Sequence, residues 1–231
     1  MRELSGNIPR EEFSRLFAYV NTLTHHVEKV FQLYANYGLL VRNEAVTELQ
    51  NDDGLRALAN LRETISSTLG LQLLSLWEIP VGSPNLTYSY PSAATLLSNV
   101  EEFSSTWRYE DGILKIEEKN QDLSKLIRLS ARVTNSVKYG AQKNLRNKRW
   151  GHKLEKSRKE LKGHNFSEPI HGDLDRLFVC TMAAQKFLFS AAYNSTEVDW
   201  LQMLSKKTAY SEKMLENLGV ELSPEFRTRT Q

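Results

Sequence analysis

The chain has 231 residues with a formal net charge of +2, and its 40% hydrophobic and 25% charged residues are ordinary for a soluble globular protein. Its 11 glycines and 6 prolines argue against an all-β sandwich and against a disordered chain. The single cysteine, Cys180, excludes an intrachain disulfide, and no Cys/His cluster has the spacing of a zinc site. The segment from Met1 to Phe13 is polar, and no apolar run approaches the roughly 18–20 residues that span a bilayer. We therefore expect a cytoplasmic protein without a membrane partner.

The first two predicted helices are long and amphipathic. Pro9 favours a helix start, and apolar residues recur at spacings of three and four from Phe13 to Tyr34, with Gly38 as the predicted stop. Leucines with the same periodicity predict a second helix over 54–78. A short helix is expected between them, over 43–51.

The middle of the chain is predicted to be less regular. Three prolines and Gly82 predict a loop over 79–91, followed by a short helix with Ser92 near its start. The stretch 107–117 carries Asp111-Gly112 between apolar residues, which fits either a small hairpin or a turn between helices. Both alternatives remain open.

Three further helices are predicted in the second half of the chain. One begins at about Gln121 and either breaks at Gly140 or continues to Gly151. Its predicted apolar face consists of Leu123, Leu126, Ile127, Ala131, Val133 and Val137. Strongly apolar residues predict another helix over 173–193, and the last spans 197–218. Residues after about 222 are expected to form a frayed tail.

These elements predict an all-α bundle of about five to seven helices, arranged as a single domain over residues 1–231. Amphipathic helices with short connections bury their apolar stripes against one another, which is the physical basis of such a bundle. No internal repeat is evident in the sequence.

Basic residues concentrate in one segment. From Lys138 to Lys162 there are seven lysines and three arginines against two glutamates, a local charge of +8. The segment is either a solvated helix face or a surface that follows a phosphate backbone. Tyr139 and Trp150 could stack on unpaired bases, although a buried Trp is the plainer alternative.

His152 is the histidine best placed for chemistry, because Arg146 and Asn147 precede it in the basic segment. Arg158 and His164 have the same spacing, but they lack the amide, and Gly163 interrupts them. Six residues along an ideal helix leave two side chains about 120° apart.

Arg146 and His152 would therefore converge on one phosphate only with a helix start or bend between Lys143 and Gly151, or across a dimer. Arg149 lies on the same helical face as His152 and is the alternative cation.

The order Arg146-Asn147, four residues, His152 resembles the signature of HEPN domains (higher eukaryotes and prokaryotes nucleotide-binding). In that signature an arginine, often followed by a polar residue, precedes a histidine by four to six residues. The amino-acid sequence of residues 145–152 is especially similar to that of the AbiU-like branch of abortive-infection proteins.

The resemblance implies a helical homodimer in which two Arg/His motifs meet in a cleft. It implies a metal-independent endoribonuclease of toxin–antitoxin or antiviral defence systems, with RNA as substrate, no cofactor, and an antitoxin protein as a candidate partner. Arg146 would hold the phosphate, His152 would transfer protons, and Asn147 would orient either one or the phosphate. The residues expected to bind RNA around this motif are Lys143, Lys148, Arg149, Trp150 and Lys153.

One position after the motif differs from the pattern of some toxin members, so inactivation by tyrosine modification is not expected. Some toxin members carry a tyrosine two residues after the histidine, where a partner enzyme modifies them, and this chain has Leu154 there. The alternative function is a non-catalytic helical module that binds nucleic acid, nucleotide or a protein through the basic face. A structural helical protein with a solvated basic face is a third alternative.

Overall fold

The computed structural model of the protein describes residues 10–42, 53–84, 87–100, 103, 105–110, 113–147, 171–193 and 199–217. Within these ranges seven helices and one hairpin occur in the order α1 (Arg10–Arg42), α2 (Asp53–Leu76), α3 (Tyr90–Ser98), β1 (Ser105–Glu110), β2 (Ile113–Lys119), α4 (Gln121–Thr134), α5 (Val137–Leu145), α6 (His171–Tyr193) and α7 (Trp200–Asn217). The predicted all-α class is confirmed, with the hairpin as a small addition. No helix in the described ranges is long and apolar enough to cross a membrane.

The chain divides into two compact units. The first comprises residues up to Val27 together with 75–140 and 179–198, and the second comprises 28–74, 141–178 and the residues from Asp199 onward. The single domain predicted over 1–231 stays a prediction.

A buried hydrogen-bond network lies in the first unit. The Trp77 indole donates to the Thr181 hydroxyl at 3.0 Å, and the Tyr90 hydroxyl donates to the Thr181 carbonyl and the Gln185 amide oxygen at 3.1 and 3.2 Å. The Gln185 amide nitrogen donates to the Thr24 hydroxyl at 2.8 Å. Leaving such buried groups unpaired would cost about 1–3 kcal/mol each, so the network favours one arrangement of these helices.

Side-chain caps determine where two helices of the first unit begin. The Ser89 hydroxyl accepts a hydrogen bond from the Ser92 backbone, so α3 begins at Tyr90, slightly earlier than the predicted start near Ser92. Asn120 accepts from the Leu123 backbone at 3.1 Å and donates to the Phe103 carbonyl at 2.9 Å. Asn120 therefore both caps α4 and anchors it, and α3 packs against α4.

The ambiguous stretch forms the hairpin, and the alternative of a turn between helices is wrong. β1 and β2 pair antiparallel, with Trp107 opposite Ile116 and Glu110 opposite Ile113. The register shifts between Thr106 and Trp107. Such a shift is typical of a β-bulge, which increases the local twist of a ribbon.

The predicted helix stop at Gly38 is wrong, because α1 continues to Arg42. Tyr37, Leu39 and Leu40 are almost completely buried on either side of the glycine. Burying each of these side chains contributes about 1.5–3 kcal/mol, which outweighs the roughly 1 kcal/mol that glycine costs inside a helix.

The long helix predicted from Gln121 breaks at Asn135 and Ser136 instead of at Gly140 or Gly151. The Ser136 hydroxyl accepts from the Tyr139 backbone at 3.1 Å and so caps α5, which contains Gly140. Only part of the predicted apolar face is buried. Leu123, Leu126 and Val133 are buried, whereas Ile127, Ala131 and Val137 are exposed.

Aromatic contacts fill the core of the second unit. Phe31 packs edge-on against Phe178 and Trp200, with ring centroids 5.2 and 5.9 Å apart, and Tyr34 stacks on Phe178 at 3.6 Å. The Asp199 carboxylate accepts two backbone hydrogen bonds at 3.0 Å and caps α7. The short helix predicted over 43–51 and the C-terminal tail lie outside the described residues.

Candidate functional site

The predicted motif begins at the C-terminal end of α5. Lys143, Arg146 and Asn147 are described, and each is half-buried. Five further predicted site residues lie outside the described residues: Lys148, Arg149, Trp150, His152 and Lys153. The structure therefore brings Arg146 and Asn147 together and does not test the position of the histidine.

Arg146 is oriented by its neighbour. Its Nε donates to the Asn147 side-chain oxygen at 3.3 Å. An amide acceptor on Nε restrains the plane of the guanidinium group, whose fork of N–H donors matches the oxygens of a phosphate. This contact fits the orienting role that the family resemblance implies for Asn147.

The backbone changes conformation at the same two residues. α5 ends at Leu145, and Arg146 and Asn147 adopt a π-helical conformation. π-Turns are rare, are mostly single turns at helix irregularities, and occur frequently at functional sites. The departure from α-helical geometry begins at Arg146, within the range Lys143 to Gly151 where the sequence called for a bend.

Two buried amides on α5 were missed by the sequence analysis. Gln142 and Asn144 are 3% and 7% exposed, although they belong to the basic segment. Gln142 precedes Arg146 by one helical turn, and Asn144 precedes Asn147 by three residues, so each pair shares a helical face. The signal was the series of uncharged amides at 142, 144 and 147 among lysines and arginines.

Tyr139 does not provide the base-stacking surface that the sequence suggested. It is only 6% exposed, and its hydroxyl donates to the Trp77 carbonyl at 3.0 Å. Because its ring is enclosed by protein, Tyr139 stabilises the fold of the first unit, and any stacking on bases must come from other residues.

The other chemically reactive groups in the described ranges give weaker evidence for a functional site than this motif does. Within the described ranges, no group of three or more His, Cys, Asp or Glu side chains is arranged to hold a metal ion. Burial raises the pKa of the Cys180 thiol despite the nearby Arg132, so it is protonated near neutral pH and is a poor nucleophile. His25 is exposed and His26 is half-buried on α1.

Comparison with known proteins does not identify a family. No family model, no curated protein and no solved structure matches this chain. The HEPN resemblance therefore rests on the residues 145–152 and on the helical fold class, and the function must be argued from the chemistry of those residues.

Proposed function

We propose that this protein is a metal-independent endoribonuclease of a toxin or phage-defence type, similar to the AbiU-like branch of HEPN proteins. The observation that carries the proposal is the Arg146–Asn147 contact at 3.3 Å, made where α5 changes into a π-turn. The contact orients a phosphate-binding group. It also lies at a departure from ideal helix geometry between Lys143 and Gly151, where the motif requires such a departure.

Each residue of the motif has a defined chemical role in the proposal. His152 takes the proton from a 2′-hydroxyl, whose oxygen then bonds to the adjacent phosphorus while the bond from phosphorus to the 5′-oxygen breaks. The departing 5′-oxygen takes up a proton from the protonated His152 or from water, which gives a cyclic phosphate and a 5′-hydroxyl. General acid–base catalysis of this kind contributes about 10²–10⁴ in rate. Arg146 binds the phosphate and stabilises the charge that develops on it, an electrostatic contribution of comparable or larger size.

The charge of the segment favours the substrate. Lys143 and the predicted RNA-binding group Lys148, Arg149, Trp150 and Lys153 belong to the stretch whose local charge is +8. Cations that neutralise phosphates release counterions, so binding to RNA is expected to weaken steeply as salt rises. Two copies of the motif meeting in a homodimer cleft would double this charge, and an antitoxin protein that covers the cleft would block it.

The direct test is cleavage of single-stranded RNA in the presence of EDTA. We expect the wild type to cleave and His152→Ala to lose at least about 100-fold in rate, because it removes the proton-transfer group. His164→Ala is the matched control, since Arg158 and His164 repeat the same spacing. Equal loss in both variants, or no loss in His152→Ala, would remove His152 from the mechanism.

Comparing arginine variants tests which cation serves the phosphate. Arg146→Ala is expected to reduce cleavage far more than Arg149→Ala, because Asn147 orients Arg146. Asn147→Ala should give an intermediate loss. If the folded wild type cleaves no RNA but binds it in a salt-sensitive manner that survives His152→Ala, the protein is a non-catalytic binding module instead.

A further inference from the structure

A pocket of about 260 Å³ lies in the first unit, far along the sequence from the Arg146 motif. Residues of α1, α3 and the loop before α3 line it. Its apolar lining includes Leu16, Leu96 and Val100, and its polar lining includes Arg15 and Asn99. The volume lies just below the range of about 300–1,000 Å³ that is typical of drug-sized ligand sites, which suits one planar ring with its substituents.

Two stacked tyrosines form one wall of this pocket. The Tyr19 and Tyr88 rings lie 4.9 Å apart at 30°. Tyr19 is 7% exposed and covers one face of Tyr88, whereas Tyr88 is 45% exposed. Part of the Tyr88 surface therefore remains accessible beside the stacked pair, where a second ring can contact it.

Hydrogen bonds hold this aromatic wall in place. The Tyr19 hydroxyl donates to the Thr87 carbonyl and accepts from the Ser89 backbone N–H at 3.1 Å. These two residues flank Tyr88 in the chain, so their hydrogen bonds hold the segment that carries Tyr88 against Tyr19. A preorganised ring loses little conformational entropy when it stacks on a ligand.

Arg15 supplies a cation at the same pocket. It is exposed and forms no ion pair with any residue in the described ranges. Its guanidinium group can donate to an anion in the pocket without first breaking an ion pair to a described residue. Asn99 adds an amide, which can both donate to and accept from the edge of a base.

We propose that this pocket binds one nucleoside monophosphate unit, with the base stacked on Tyr88 and the phosphate held by Arg15. A stacked tyrosine beside an exposed arginine fits a ligand that combines a planar ring with an anionic group. Such a unit occurs both as a free mononucleotide and as one nucleotide of single-stranded RNA. We assign the pocket to RNA, and this assignment rests on the proposed ribonuclease function.

The experiment is calorimetric titration of the His152→Ala protein, in which RNA stays intact, with adenosine 5′-monophosphate. Stacking on an aromatic side chain is worth about 1–3 kcal/mol per base, so Tyr88→Ala should weaken binding at least about fivefold. Arg15→Ala should weaken adenosine 5′-monophosphate but leave adenosine unchanged. Tyr88→Leu, which keeps an apolar cover over Tyr19, should behave as Tyr88→Ala.

Matched controls separate the pocket from general surface effects. Tyr210 is 71% exposed on α7, and Arg132 is exposed on α4, and neither lines the pocket. Tyr210→Ala and Arg132→Ala should bind like the parent protein. Absence of measurable binding, or equal losses in pocket and control variants, would overturn the inference.

A second arm tests the source of the nucleotide. A five-nucleotide oligoadenylate should bind more tightly than adenosine 5′-monophosphate and should compete with it, and the reverse order would overturn the assignment to RNA. The pocket and the proposed catalysis fail separately. If the protein binds the mononucleotide through Tyr88 but cleaves no RNA, the pocket assignment stands and the proposed nuclease function fails. If it cleaves RNA but binds no mononucleotide, the nuclease function stands and the pocket assignment fails.

Discussion

Opposing effects act on the pKa of the Asp122 carboxyl group, which lies in the first turn of α4. Burial raises its pKa, but hydrogen bonds from Lys125 at 2.8 Å and Ser190 at 2.6 Å favour the charged form, and the net pKa is lowered. The carboxylate also lies at the positive end of the helix. Asp122 therefore joins α4 to α6 most strongly when it is ionised.

This balance predicts a pH-dependent stability. Because the pKa is lower in the folded state, Asp122 stabilises the protein above the unfolded value of about 3.9, and this contribution disappears as pH falls through the folded pKa. Urea denaturation should therefore show that Asp122→Asn destabilises the protein more at pH 7 than at pH 3. Ser190→Ala, which removes one of the two hydrogen bonds, should show a smaller pH dependence of the same sign. A difference that grows on acidification would contradict this origin.

Two expectations for the basic segment, one for Arg146 and Asn147 and one for Tyr139, had different outcomes. The HEPN resemblance implies that Asn147 orients Arg146, His152 or the phosphate, and the side chains of Arg146 and Asn147 form a hydrogen bond. Tyr139 belongs to the same basic segment and has the opposite outcome, because its ring is buried. Sequence position alone does not distinguish the two cases, since burial depends on what packs against α5.

At the scale of elements, helix ends follow local hydrogen bonds and burial more closely than they follow glycine positions. Ser89, Asn120 and Ser136 cap α3, α4 and α5, whereas Gly38 and Gly140 lie inside helices. Glycine lowers helix propensity by only about 1 kcal/mol, so an apolar stripe on both sides of it is enough to continue the helix.

Two glycines provide a matched test of this explanation. A Cβ atom added at Gly38 or at Gly82 would meet no atom within 4 Å, but only Gly82 has a positive φ, of 92°. We expect Gly38→Ala to stabilise the protein by about 0.5–1 kcal/mol. Gly82→Ala should destabilise it by about 1–2 kcal/mol, because positive φ is unfavourable for a residue with a side chain. Thermal or urea denaturation measures both, and equal signs for the two variants would refute the argument.

At the scale of the whole molecule, the HEPN resemblance implies that the proposed activity uses a second copy of the chain. One Arg/His motif supplies a single phosphate-binding group and a single proton-transfer group, whereas a cleft made by two chains supplies two of each. An isologous dimer is the simplest symmetric arrangement that places identical motifs opposite each other.

The composite cleft predicts a dominant-negative effect. Sedimentation equilibrium should give twice the mass of one chain for both the wild type and His152→Ala. If both motifs are needed in each cleft, random pairing in an equal mixture of the two proteins should lower the activity per wild-type chain to about half of its undiluted value. Mixing with His164→Ala, which is expected to stay active, should leave the activity per total chain unchanged. Activity that merely follows the number of wild-type chains, or a monomeric mass, would exclude the shared cleft.

The periodicity of apolar residues was sufficient to predict the helical class and most long helices. Leu23, Val27 and Phe31 on α1, and Leu69 and Leu73 on α2, repeat at a spacing of four and are all buried, because a core-facing helix must bury one stripe. The roles of Arg146, Asn147 and His152 are those that the HEPN resemblance implies, and they stay predictions.

Tertiary structure decided the features that depend on distant neighbours. The exposure of Ile127 and Val137 and the burial of Tyr139 depend on which surfaces α4 and α5 meet. The pocket beside Tyr88 likewise combines residues from α1 and the loop before α3, separated by about 70 positions. Local sequence encodes propensity and chemical identity, whereas burial and proximity arise only when separate segments pack together, and they determine which of the encoded groups can act.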